Sequence, residues 1–167
     1  MRPVTRRVRA ILGVLAASMA LVVVTGSVAA ASPQPVTIAS HVNFNPDGPN
    51  SGDFTITGQA VASGLICAGG TFVDTGIHFA GYQSDRGGRS VVQLQVHKTF
   101  TCSDGSGTFF VKMQIQADFA TGLETFTWVV QGGTDDYANL RGSGAGSTVR
   151  DDDGNGNTNT FTGLLIG

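Results

Sequence analysis

From Val36 onward the chain alternates apolar and polar residues with a period of two, the signature of strands with one buried face. The pattern is clearest where Val92, Leu94 and Val96 alternate with Gln93, Gln95, His97 and Thr99, and it runs on through Phe100 to Cys102. Asp104-Gly105-Ser106-Gly107 then turns the chain tightly. The returning stretch sets Phe109, Val111, Met113, Ile115 and Ala117 against Lys112, Gln114, Gln116 and Asp118. Both strands exceed the usual five or six residues, which suits tilted strands wrapping a barrel. Val36, Ile38, Val42 and Phe44 follow the same rule, as do Phe54, Ile56, Gly58 and Ala60, and then Phe126, Trp128 and Val130. Residues 64–70 form a loop holding Cys67, and Ile77 and Phe79 mark a short strand before the turn at Asp85-Arg86-Gly87-Gly88. Two more strands are expected over 142–150 and 158–166. No segment of ten or more residues has a helical period, and only Tyr137 to Leu140 has the makings of a single turn. About eight antiparallel strands predict an all-β, single closed barrel, with a β-sandwich as the alternative.

The amino terminus belongs to a different class. Arg2, Arg6, Arg7 and Arg9 precede an apolar run that falls short of the roughly 20 residues needed to span a bilayer. Ser27-Val28-Ala29-Ala30-Ala31 then supplies small residues. This is the pattern of a secretory signal peptide over residues 1–31, with a barrel domain over 32–167; a retained membrane anchor is the poorer reading. Removing the segment takes four arginines with it. Six basic residues then face twelve acidic ones, a net of −6. That balance argues against nucleic acid and, once the signal is cleaved, against anionic membrane surfaces. In an exported chain Cys67 and Cys102 are expected to pair, closing a loop of about 35 residues and contributing roughly 3–4 kcal/mol.

Residues 128–146 combine a buried strand end with Gly132-Gly133-Thr134-Asp135, Tyr137-Ala138-Asn139 and Arg141-Gly142-Ser143-Gly144. This run resembles the barrel family of allene oxide cyclases, dirigent proteins and many secreted bacterial chains, in which a strand leads into Gly-Gly-Thr-Gly, an aromatic-Ala-Gly turn and Arg-Gly-x-Gly. Asp135 and Asn139 stand where that pattern has glycine, and both residue types tolerate a left-handed backbone. Physically the motif reads as a plug. Tyr137 and Leu140 fold back over one end of the barrel, Gly142, Gly144 and Gly146 let neighbours approach, and Arg141 is within reach of Asp135 or Asp136. The resemblance implies an interior that holds a lipid or phenolic molecule, and barrels of this kind often form homo-oligomers. No catalytic residue of that family is carried over to this chain.

For chemistry the residues offer little. His41, His78 and His97 alternate with apolar neighbours and belong to the polar face, and the chain has no nucleophile elbow or phosphate loop. Asp151, Asp153 and Asn155 have the alternate spacing of a calcium loop, but Thr162 stands where a bidentate Glu belongs, so a solvated hairpin turn is the favoured reading. No cofactor is implied. Phe54, Ile56, Phe79, Leu94, Val96, Met113, Ile115, Phe126 and Trp128 either line a ligand cavity or fill it. Lys98 breaks an apolar run near one mouth and is expected to snorkel to solvent. Glu124, the single glutamate, shares a face with Phe126 and Trp128. These two are the candidate acid–base groups. An exported barrel without a catalytic motif is expected to be an extracellular binding or structural protein, with a small apolar ligand in the barrel as one option. The rivals are an isomerase or cyclase for a hydrophobic substrate, and an interaction module using Tyr82 and the outer faces.

Overall fold

The computed structural model describes residues 32–84, 90–118 and 121–167, so the expected signal peptide and the turn at Asp85-Arg86-Gly87-Gly88 lie outside the described residues. Eight antiparallel strands form one closed barrel in sequence order. They are β1 (Gln34–Asn43), β2 (Ser51–Thr57), β3 (Gly69–Ser84), β4 (Ser90–Cys102), β5 (Thr108–Asp118), β6 (Leu123–Gly133), β7 (Arg141–Arg150) and β8 (Gly156–Ile166). Pairing of β1 with β8, from Gln34↔Leu165 to Asn43↔Gly156, closes the ring and excludes the sandwich. Closure leaves no free sheet edge around the barrel wall itself.

Two stretches depart from simple alternation. Gly58 and Ala60 do not continue β2: Gly58 adopts φ 109°, and Gln59–Ala62 forms a one-turn helix, α1, that buries Ala60. The short strand expected around Ile77 and Phe79 is part of the 16-residue β3. That strand carries irregularities between Asp74 and Gly76 and between Phe79 and Gly81, and each inserts a residue into the alternation. Phe72, Asp74, Ile77, Phe79 and Tyr82 therefore share one face although their spacing reads two, three, two, three. β2 pairs with β3 only through residues 69–73, so the far half of β3 is paired on one side only, with β4, which β5 flanks in turn.

The two ends of the barrel differ. At one end Ala60, Ile66, Tyr137 and Leu140 are buried over the strand termini, and Cys67 is joined to Cys102. Below them Phe100 stacks on Phe109 at 4.8 Å and meets Phe54 edge-on at 5.0 Å. Phe161 meets Phe126 at 4.7 Å and Trp128 at 6.1 Å. This half is filled with aromatic side chains. β7 makes room for them: a Cβ on Gly146 would collide with the Phe126 ring, and one on Gly163 of β8 would stand 2.6 Å from Trp128 Cζ2. At the other end the described residues leave a hollow rather than a plug.

Candidate binding site at the open mouth

The buried polar side chains form an inward-facing set: Ser40 on β1, Asp74 on β3, Lys98 on β4, and Asn157 and Asn159 on β8. Lys98 follows Val96 on the inner face of β4, and the register sets it beside Asp74 of β3. Its Nζ donates to Asp74 Oδ1 at 2.6 Å, with the two side chains 2% and 4% exposed. The ammonium also lies 4.2 Å from the centroid of Phe72, a cation–π contact. Asn50 Nδ2 donates to Asp74 Oδ2 at 3.3 Å. Burial, the largest influence, pushes the Lys98 pKa below the ordinary 10.5; the charge and hydrogen bond of Asp74, and then the charge of Glu124, push it partly back. The expected snorkelling does not occur. A carboxylate on the adjacent strand, in register, satisfies the ammonium where it stands. Desolvating two charges offsets most of their attraction, so the pair contributes little to stability by itself.

Above this pair lies a hollow of about 160 Å³, lined among others by Ile77, Leu94, Val96 and Ile115 on one side and by Asn157, Asn159 and Glu124 on the other. Thr148 Oγ1 donates to Asn159 Oδ1 at 2.8 Å. Asn157 Oδ1 and Ser40 Oγ, in contrast, are buried with no hydrogen-bond partner. A buried acceptor left unsatisfied costs about 1–3 kcal/mol, so Asn157, which borders the hollow, calls for a donor there. Glu124 Oε2 lies 3.7 Å from Arg150 Nη2 at the rim. The hollow is close in size to an apolar cavity of about 150 Å³ that accommodates one benzene ring, and well below the roughly 300 Å³ of a drug-sized pocket.

The residues expected to line a cavity divide into three groups. Phe54, Ile56, Met113, Phe126 and Trp128 are buried among the rings and side chains of the sealed half. Leu94, Val96 and Ile115 wall the hollow, with Lys98 and Glu124 beside them. Phe79 is 66% exposed on the far half of β3 and lines no interior, because β3 there has outrun β2.

In the plug, the Tyr137 hydroxyl accepts from the Cys67 N–H at 3.1 Å and shares a hydrogen bond with Ser106 Oγ at 2.6 Å. Gly132 takes φ 107° and Gly133 pairs with Phe109. Of the two replacements for glycine, only Asp135 is left-handed, at φ 50°. Arg141 donates to the Leu140 carbonyl at 2.7 Å rather than pairing with Asp135 or Asp136.

In the acidic turn, Asp153 Oδ1 accepts from the Asn155 N–H and Asp151 Oδ2 lies 3.7 Å from His41 Nε2. Among the described residues no group of three His, Cys, Asp or Glu side chains is placed to hold a metal ion. The histidines lie on the outer face, where His78 and His97 meet edge-on at 6.1 Å.

Asp74, Ser40, Asn157 and Asn159 escape a reading of the sequence for chemistry. Each nevertheless sits in phase with apolar neighbours: Asp74 with Phe72, Ser40 with Ile38 and Val42, and the asparagines with Phe161. A polar residue in an apolar phase is the signal that would have found them.

Fold and mouth together define a class: an eight-stranded antiparallel barrel with one sealed, aromatic-filled end and, at the other, a hollow with a polar floor. No family model, curated protein or solved structure matches the chain.

Proposed function

We propose that this is an exported, non-enzymatic binding protein that seats a small amphiphilic molecule in the barrel mouth. One observation carries the reading: a buried, unpartnered acceptor, Asn157 Oδ1, borders a ring-sized hollow whose opposite wall is aliphatic and whose floor is the Lys98–Asp74 pair. Export is supported by the amino-terminal pattern and by the Cys67–Cys102 disulfide. The resemblance to allene oxide cyclase and dirigent barrels agrees with a ligand held by the barrel. The packed rings of the sealed half confine that ligand to the mouth.

The isomerase or cyclase reading has one observation in its favour, since Lys98 and Glu124 line the same hollow. Lys98, however, is already committed to Asp74 at 2.6 Å. Benzyl alcohol, titrated against the protein and followed by NMR, tests the binding reading. The Leu94 and Ile115 methyl resonances are expected to shift, and Asn157→Leu is expected to weaken binding about tenfold by removing the acceptor. No saturable shift at those methyls would defeat the proposal. Conversion of the bound alcohol or of an added hydrophobic substrate would restore the enzymatic one.

A further inference from the structure

The apolar residues on the far half of β3 belong to the same face as the hollow. The register pairs Ile77 with Val96, Phe79 with Leu94 and Tyr82 with Val92. On the far side Leu94 pairs with Ile115 and Val92 with Ala117. A three-strand apolar strip therefore begins inside the hollow at Val96 and Ile115 and runs outward along β3 and β4. Ile77, Phe79 and Tyr82 remain 52%, 66% and 56% exposed on it. At about 3.3 Å per residue, Ile77 to Tyr82 spans roughly 16 Å. Single exposed apolar residues are ordinary, but a contiguous strip leading out of a site is not. Both bulges are needed to make it. Without the one between Phe79 and Gly81, Gly81 would occupy the position that Tyr82 takes.

We propose that the strip seats the hydrocarbon tail of a single-chain amphiphile whose uncharged hydroxyl head enters the hollow. This rests on the mouth-binding reading and goes further by naming the ligand class. The head follows from the floor. Asn157 Oδ1 needs a donor, while Lys98 has three protons and gives one to Asp74. A hydroxyl donates to the first and accepts from the second. A carboxylate head would face Glu124 and Asp74 and leave Asn157 unserved, and a bare hydrocarbon would leave it buried and unpaired. The tail follows from volume. A hollow of about 160 Å³ takes roughly one ring, so any longer run of methylenes must leave it, and among the described residues the strip is an extended apolar surface continuous with it.

The test is a calorimetric and NMR titration of the purified protein with butanol, hexanol, octanol and decanol. Benzyl alcohol serves as the short ligand, and octanoate as the charged comparison. Affinity is expected to rise about two- to fourfold for each methylene added, the upper figure being full burial of a CH₂. Octanol should bind at least tenfold more tightly than octanoate. In Phe79→Ser, an exposed position whose change leaves the melting temperature within a degree or so, the gain per methylene should shrink toward unity. If benzyl alcohol binds but longer alcohols bind no better than butanol, the strip is not a tail site, although the mouth reading stands. Retention of the full gain in Phe79→Ser rules out the tail site in the same way. Tighter binding of octanoate overturns the hydroxyl head. If neither benzyl alcohol nor any alkanol binds, the mouth reading itself falls.

Discussion

Lys98 and Asp74 face each other across 2.6 Å with almost no solvent around them. Removing one partner leaves the other as an uncompensated buried charge. Lys98→Ala is therefore expected to lower unfolding free energy by about 3–5 kcal/mol in urea denaturation, and Lys98→Met with Asp74→Leu to recover most of it. A double variant as unstable as the single one would mean that the pair stabilises the barrel beyond relieving its own burial. The pH dependence has a definite sign. Because burial holds the Lys98 pKa in the folded state below the ordinary 10.5, the unfolded chain carries more protons between those two values. Stability then rises with pH across that window and is flat below the folded value, where both states are protonated. Wild type minus the double variant, measured from neutral pH toward 10.5, isolates this contribution; a flat or falling difference would contradict it. The candidate site was half legible. Lys98 is conspicuous as a charge within an apolar run, but its partner lies on a strand whose phase is reset twice by bulges. A count in steps of two past Asp74 therefore goes out of register with the true inner face.

The turn after β6 shows what an element contributes beyond its own residues. Tyr137 is 3% exposed, and its hydroxyl receives the Cys67 N–H, tying the plug to the disulfide loop through one oxygen. Tyr137→Phe keeps the ring against Phe109 but leaves that N–H without its partner and Ser106 with Asp104 alone, so a loss of about 1–3 kcal/mol is expected in chemical denaturation. Loss of the disulfide acts on the same end. Cys67→Ala with Cys102→Ala should cost roughly 3–4 kcal/mol, and an intact-mass shift of about two daltons on reduction would register the bond. Losses that add would mean independent anchors; a smaller combined loss would place both on one closing unit. Strands were easy to read because alternation is dictated by a single buried face. The helix α1 was not, because Gly58 at φ 109° breaks the strand through its backbone, and glycine's freedom leaves no trace in a pattern of polarity. The extent of β3 was equally hidden. Gly76 and Gly81 interrupt its alternation as a loop would, although both are paired, with His97 and Gln93.

At the scale of the molecule, ring closure and ring filling do different jobs. The sealed half resists mutation in the ordinary way of a packed core. Phe100 is fully buried between Phe109 and Phe54. The mouth half is held instead by strand pairing, with polar groups inside it. Closure itself depends on β1 and β8, whose ten paired positions bring Gln34 beside Leu165. The start of β1 and the end of β8 are therefore neighbours. Joining Gly167 to Gln34 through a short glycine–serine linker, and opening the chain in the exposed turn at residues 152–154, should give a permutant with the same barrel. That turn is a sound place to cut, because the paired strands β7 and β8 on either side stay clamped from Arg141↔Ile166 to Arg150↔Asn157. The cut sacrifices local hydrogen bonds such as Gly154 N–H to Asp151 O, so a loss of about 1–2 kcal/mol is expected, with the far-ultraviolet spectrum and disulfide retained. Opening instead within β4, at Gln95, would split the strand that carries both the Lys98 site and the hairpin strip, and that permutant should fail to fold cooperatively. Equal melting temperatures for the two permutants would mean that closure is not what organises the barrel, and that the aromatic half folds as a unit whatever the order of its strands.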